Sequence, residues 1–320
     1  MRISFIVNSR SRKFSSFTSE FEKSKHPLIT DARILYTKSP GHARELAQEE
    51  AISSELIIAA GGDGTLHEVL NGMMASQELF GGKIPGLGLI PLGSANDFAR
   101  IQNISNDLNR LIDSIEKGNF KKIDIGKIQL SYDNKTHYFI NVADSGIGGE
   151  VVEKLEKRSF LKKYISSDVK FASAILRTFF SYRRKHVDIL IDNKTQINGR
   201  ILTLVAANSS SFGSGLIVAP DAKIDDGKFQ VLVGDISLWG YLTSMRKLKK
   251  GQKLTLKGVQ YLEATQIKIS GCSDLFTEAD GELIGNGEVA ITCIPGAIKF
   301  CLPELNNRVN PSPSHPDKWN

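Results

Sequence analysis

The stretch Leu56-Ile-Ile-Ala-Ala-Gly-Gly-Asp-Gly-Thr-Leu-His-Glu68 constrains this chain more than any other. Residues 56–60 form an uncharged apolar run, long enough for a buried strand and too short for a helix. Gly61, Gly62 and Gly64 then allow backbone conformations closed to other residues and let a ligand approach the main chain. Thr65 and Glu68 carry the Ser/Thr-x-x-Glu spacing of a capping box. Leu66, Val69, Leu70, Met73 and Met74 supply the apolar face of the helix it would open. Strand, glycine turn and helix start make an anion site, because free N–H groups and the helix dipole point at one spot. An acidic Asp63 there suits a phosphate only with a cation between them, which indicates a metal-bound nucleotide. The chain has no Walker Gly-x-x-x-x-Gly-Lys-Ser/Thr, and the dinucleotide Gly-x-Gly-x-x-Gly spacing is absent from this turn.

The residues before about 125 repeat this logic. Strand candidates at 3–7, 34–36, 56–60 and 88–92 alternate with helical spacing at 14–21, 43–51 and 66–74. Such alternation predicts a parallel sheet covered by helices, whose ligands bind outside the carboxyl ends of the strands. Asn8, Thr37, the glycine turn and Gly93-Ser-Ala-Asn-Asp97 each follow a predicted strand, so four segments converge on one edge. Ser94 and Asp97 again have capping spacing, ahead of a helix starting near Phe98; a further helix over 108–115 stops at Lys117-Gly118.

After Gly118 the texture changes to short, often alternating runs at 127–132, 137–142, 187–191, 201–206, 229–233, 254–256, 266–270 and 289–293. This spacing predicts a β-rich unit, a sandwich or open barrel, over 126–294. A helical insertion over 151–183 interrupts it. Phe171, Ala172, Ile175, Leu176 and Phe179 form its apolar stripe, flanked by Lys157, Arg158, Lys162, Lys163, Arg183, Arg184 and Lys185. A basic amphipathic helix can lie on an anionic membrane, although core packing with a solvated basic flank explains the same pattern. The tail 306–320 is rich in Pro and Asn and is expected to be disordered.

Composition narrows the partners. A formal charge of +6 favours anionic ones. The basic residues lack the interleaved aromatics of a nucleic-acid module, so nucleic acid is not expected. Three cysteines without a Cys-x-x-Cys pair indicate neither a disulfide framework nor a zinc site. The first residues read as a strand rather than a leader, and the longest charge-free run, 203–220, is too polar to span a membrane. The expected location is cytoplasmic, peripheral to the inner face of the membrane.

An ordered set of motifs completes the reading. Gly61-Gly-Asp-Gly-Thr65 with Glu68 and Asn71 is followed by Pro91-Leu-Gly-Ser-Ala-Asn-Asp-Phe-Ala-Arg100 and Asp124. Then come Asn141 with Ser145-Gly-Ile-Gly-Gly149, Phe212-Gly-Ser-Gly215, Ala219-Pro-Asp-Ala-Lys-Ile-Asp-Asp-Gly227 and Asp280-Gly-Glu282. Over residues 1–303 the chain resembles the diacylglycerol kinase catalytic-domain family, of the soluble bacterial lipid-kinase type. The resemblance implies an α/β nucleotide domain like those of NAD kinase and phosphofructokinase, over 1–125, followed by an all-β sandwich with the helical insertion. The last strand, near 295–305, would return to the first domain, and the active site would lie in the cleft between the two.

Carried over residue by residue, the resemblance places ATP on Asn8, Thr37, Gly61, Gly62, Asp63, Gly64, Thr65, Glu68, Ser94 and Asn96. It makes Asp63, Asp97 and Asp124 a water-mediated network around Mg2+, which keeps several waters and needs few protein carboxylates. Lys223, Asp226 and Lys228 resemble a second metal site, with the lysines giving backbone carbonyls; by itself, Asp226-Gly227 reads as a hairpin turn. Glu282 resembles the general base, with Asp280 beside it, although Asp-Gly-Glu alone is more often an exposed turn. The implied partners are a lipid presented at a membrane surface, the membrane itself through helix 151–185, and a second copy in a homodimer. An NAD kinase-like phosphotransferase and an idle nucleotide- or lipid-binding protein are the alternatives. Three departures stand out. Asn8-Ser-Arg-Ser-Arg12 replaces the usual Asn-Pro-x-Ser-Gly, with Arg10 or Arg12 as substitute charge. Ser94-Ala95 replaces Thr-Gly or Thr-Thr, and Asp144 stands where a small residue is common.

Overall fold

The computed structural model describes residues 1–303 apart from 134, 160–177, 179–180 and 214. The first apolar runs form β1 (Ile3–Val7), β2 (Arg33–Tyr36), β3 (Leu56–Gly61) and β4 (Gly86–Pro91), paired in parallel in the order β2-β1-β3-β4. Every residue of β1, β3 and β4 is buried. Successive side chains enter different cores, so both faces must be apolar and the strands read as unbroken runs. Ile6, Ile57, Ala59 and Leu87 pack with α3 (His42–Glu50) and α4 (Asp63–Phe80). Phe5, Ile58, Ala60 and Ile90 pack instead with α1 (Phe14–Lys23) and α6 (Leu108–Glu116). The one-turn α2 (Pro27–Thr30) and the short α5 (Asp97–Ile101) complete this layer.

The β-rich unit contributes β5 (Phe120–Leu130), β6 (Thr136–Phe139), β7 (Val142–Gly146), β8 (Lys185–Ile191), β9 (Thr195–Ile201) and β10 (Thr203–Ala207). Two-residue strands β11 (Ser211–Phe212) and β12 (Leu216–Ile217) are followed by β13 (Phe229–Gly234), β14 (Val259–Ala264) and β15 (Gln266–Ser270). Last come β16 (Phe276–Ala279), β17 (Glu282–Asn286) and β18 (Val289–Cys301). The long strands β5 and β18 pair antiparallel, with a register slip between Ile294 and Ile298 that bends the ribbon. Before the slip β18 pairs with β15; beyond it, Phe300 lies parallel to Leu87 of β4. One ten-stranded sheet therefore runs out of the α/β layer and becomes half of the sandwich. The other half is the antiparallel sheet β14-β13-β10-β7-β16-β17. Between the halves, Ile189, Ile267 and Ile291 meet Leu204 and Val231, and the Phe139 and Phe229 rings stack at 5.5 Å.

Asp124 fastens the bend. It is 2% exposed, and its two carboxylate oxygens accept the N–H of Gly296 at 2.7 Å and of Gly227 at 2.6 Å.

Several expectations are corrected. The run 254–256 is not a strand; Leu254 is buried from a loop, beneath the helix Leu238–Lys249 that periodicity did not reveal. Strands β9, β14, β16 and β17 also escaped: β9, β14 and β17 are largely exposed or part-buried, and β16 has only four residues, two of them polar. The insertion opens as α7 (Ile147–Ser159), four residues earlier than predicted. Its apolar stripe, together with Lys162 and Lys163, lies outside the described residues, as does the tail. Among the described residues no helix is long and apolar enough to cross a membrane.

Candidate active site

Helix α4 starts at Asp63, with Gly62 as its N-cap and no side-chain cap. The predicted Thr65–Glu68 capping box therefore does not form. Glu68 points away from its own helix, and its carboxylate accepts the N–H groups of Gly41 at 2.9 Å and Ala43 at 3.0 Å, capping α3. The uncapped first turn of α4 leaves its amides facing the cleft, the arrangement that suits an anion. Nor do Ser94 and Asp97 cap α5. Asn96 is the N-cap, left-handed at φ 47°, and its amide closes the turn through the N–H and C=O of Gly93. The cap itself comes from Asp63, whose oxygens accept the N–H of Asp97 at 3.1 Å and of Phe98 at 3.3 Å. Burial pushes the Asp63 carboxyl up, and the neighbouring Asp97, itself paired with Arg100, adds to the shift.

The glycines bring these turns together. A Cβ on Gly62 would stand 3.2 Å from the Cα of Gly93, so the two loops meet backbone to backbone. The altered first turn still closes: Asn8 Oδ1 accepts the N–H of Arg10 at 3.0 Å and Asn8 Nδ2 donates to Thr65 Oγ1 at 3.1 Å. Ser9 Oγ donates to the Thr37 carbonyl at 2.8 Å. The result is a cleft of about 470 Å³ whose lining includes Asn8, Arg10, Arg12, Thr37, Gly62, Gly64, Thr65, Glu68, Ser94 and Glu282. Gly61, Asp63 and Asn96 are not among the lining residues.

Glu282 arrives from the sandwich. Strands β16 and β17 pair through Ala279 and Glu282, leaving a two-residue loop with Asp280 at φ 52° and Gly281 at φ 89°. Two consecutive left-handed residues make the turn that matches strand twist, and Asp-Gly is its preferred sequence. The Asp280 side chain is 2% exposed. It accepts the N–H groups of Ile140, Asn141 and Val142 at 2.9, 3.0 and 3.1 Å, and lies 3.3 Å from His67 Nδ1. His67 was missed in the sequence; its place one helical turn after Asp63 was the available signal. Glu282 Oε1 comes within 3.1 Å of where a Cβ on Gly64 would sit. Although one side of Glu282 is solvent-exposed, the cleft walls desolvate its carboxyl and push it up; His67 pulls it back and Glu68 adds to the rise.

The remaining candidates are dispersed. Asp124 spends both oxygens on the ribbon bend. Asp226 is exposed, and Lys228 turns its ammonium to Glu263 at 2.6 Å. No group of three or more His, Cys, Asp or Glu is arranged to hold a metal among the described residues.

The comparisons match this architecture. Residues 2–128 match the diacylglycerol kinase catalytic domain, and residues 141–302 match the YegS C-terminal NAD kinase beta sandwich-like domain. A diacylglycerol kinase of Staphylococcus saprophyticus is 32% identical over 248 residues, covering 76% of this chain and 74% of that protein. One from Staphylococcus aureus is 34% identical over 234 residues, covering 72% and 69%. The chain belongs to the diacylglycerol kinase family. It is accordingly a lipid kinase. A crystal structure of a diacylglycerol kinase from Bacillus anthracis, 22% identical, shares the fold with a TM-score of 0.67 over 95% of this chain and 97% of that one.

The kinase carries one departure that its structure explains. Asp144, on β7, accepts the Thr203 hydroxyl at 2.6 Å and also the Gly148 N–H at the start of α7. Burial nevertheless raises its carboxyl to about 7. A folded value above the unfolded one means that the native state binds the extra proton, so stability is full below about pH 4 and is lost as pH rises through about 7. Asp144→Asn removes that penalty, because the Thr203 hydroxyl can turn to accept from the new amide. In urea unfolding the variant is expected to exceed wild type at pH 8 by up to ~4 kcal/mol, with the gap closing by pH 4. A gap independent of pH would show that Asp144 does not titrate in this range.

Proposed function

We propose that this kinase transfers the γ-phosphoryl group of ATP, with Mg2+, to a hydroxyl of diacylglycerol or a related lipid, with Glu282 as general base. The observation that carries the reading is the approach of Glu282 to Gly64: a carboxylate from the sandwich reaches the uncapped helix start where an anion would sit. A lipid hydroxyl is a poor nucleophile at neutral pH, and a carboxylate within reach can take its proton as the bond to phosphorus forms. The first-turn amides of α4 hold the phosphates, and Asn8, Thr37, Thr65 and Ser94 line the path of the nucleotide. Asp280 orients the base by anchoring the turn that carries it.

The donor set fits Mg2+ in hydrated form only. Asp63 and Asp97 are buried carboxylates whose mutual repulsion a cation would relieve, yet Asp63 gives its oxygens to α5 and Asp97 pairs with Arg100. They would hold the ion through water, and the ion would neutralise charge on the phosphate oxygens. A second cation at the loop containing Lys223, Asp226 and Lys228 would be held by Asp226 and backbone carbonyls, since Lys228 turns its ammonium to Glu263.

The test is transfer of γ-labelled phosphate from ATP into a total-lipid extract, beside an Asp63→Asn control. A labelled lipid that fades in the control establishes the reaction, and chromatography names the acceptor. ATP binding without a labelled lipid would overturn the reading.

A further inference from the structure

The Asp280–Gly281 tip is held from below as well as from the side. Gly281 donates its N–H to Glu278 Oε2 at 2.8 Å, across the turn that Asp280 anchors outward. Glu278 lies on β16 at a register irregularity between Thr277 and Glu278, is 2% exposed, and stands directly opposite Asp144 on β7. Side chains opposite each other on antiparallel strands share a face of the sheet, so two acids occupy one buried spot. α7 covers β16 with almost no spacer: a side chain on Gly149 would collide with the main chain of Phe276 and Thr277.

We propose that Glu278 is a positioning residue of the kinase, a buried acceptor that fixes the Gly281 amide and thereby the direction in which Glu282 reaches the cleft. The inference rests on Glu282 being the base. Desolvation first, and Asp144 second, hold the Glu278 carboxyl well above its ordinary range. What the Gly281 N–H needs from Glu278 is an accepting oxygen, a role that an amide can fill and a hydrocarbon cannot.

Two variants separate this role from general packing. Glu278→Gln keeps the length and the acceptor; Glu278→Met keeps the length and volume alone. Labelled-phosphate transfer to the lipid extract is read beside hydrogen exchange of the 280–283 backbone amides. Expected for Gln are a kcat within about threefold of wild type and unchanged slow exchange; expected for Met are a kcat lower by roughly 30-fold or more, an unaltered KM for ATP, and fast exchange at the tip. Met with wild-type kcat and slow exchange would overturn the proposal. So would Gln losing as much rate as Met, because charge rather than acceptance would then be required. Should Met fail to fold, a roughly 30-fold or greater loss of kcat in Gln, or fast exchange at its tip, would still overturn the proposal. Exchange is read whether or not the protein transfers phosphate, so inactive wild type with a protected tip would count against the kinase reading and not against the hold on Gly281.

Discussion

Glu282→Gln is expected to bind ATP as wild type does and to transfer phosphate roughly 10²- to 10⁴-fold more slowly, the usual contribution of a general base. The amide preserves shape and hydrogen-bonding reach beside Gly64 but cannot take a proton. The loss should fall on kcat, because the proposed nucleotide contacts are made by other residues of the cleft. pH adds a second signature. The carboxyl of Glu282 is raised, chiefly by desolvation, and its basic form is the ionised one. Activity must then fall on the acid side at a pH above the ordinary glutamate range, and this limb should vanish in the variant. Retention of more than about a tenth of wild-type kcat would remove Glu282 as the base.

Asp280→Ala is expected to give the second large effect, on stability and rate together. The substitution strands three buried N–H donors, those of Ile140, Asn141 and Val142, and removes the partner of His67. Breaking such a buried charged network costs about 3–5 kcal/mol. Because the same carboxylate pins the turn ahead of Glu282, kcat should drop even where the protein stays folded. Asp280→Asn keeps one accepting oxygen and should lie between, in both urea unfolding and phosphate transfer. Wild-type turnover in a folded Asp280→Ala protein would show that the anchoring is dispensable.

The strand and glycine-turn parts of this fold were legible because they follow local rules. β1, β3 and β4 announce themselves as unbroken apolar runs, and the cleft follows from the sheet edge on which they end. What sequence spacing concealed is partner choice. Thr65 and Glu68 have correct capping spacing, yet Glu68 serves α3 and Asp63 serves α5, because helix starts that crowd around one cleft can exchange caps. A motif ruler measures separation along the chain and is blind to a better donor across space. Asp280 illustrates the same limit: beside Glu282 in sequence it looks like half of a catalytic pair, whereas three main-chain donors and His67 already surround it. The resemblance supplied the order of the motifs; only the coordinates assign Asp144 and Glu278 to the floor beneath them.

The bent ribbon of β5 and β18 has a consequence for how the chain is made. β4 belongs to the opening third of the sequence, but its neighbour Phe300 is separated from Leu87 by more than two hundred residues. During synthesis the α/β layer must wait with an unprotected sheet edge until the whole sandwich has left the ribosome. Exposed edges are the usual starting points for mispairing. The late strand thus ties completion of the α/β layer to completion of the sandwich, and a nascent chain cut short before residue 298 would carry the glycine turn without the strand that closes its sheet.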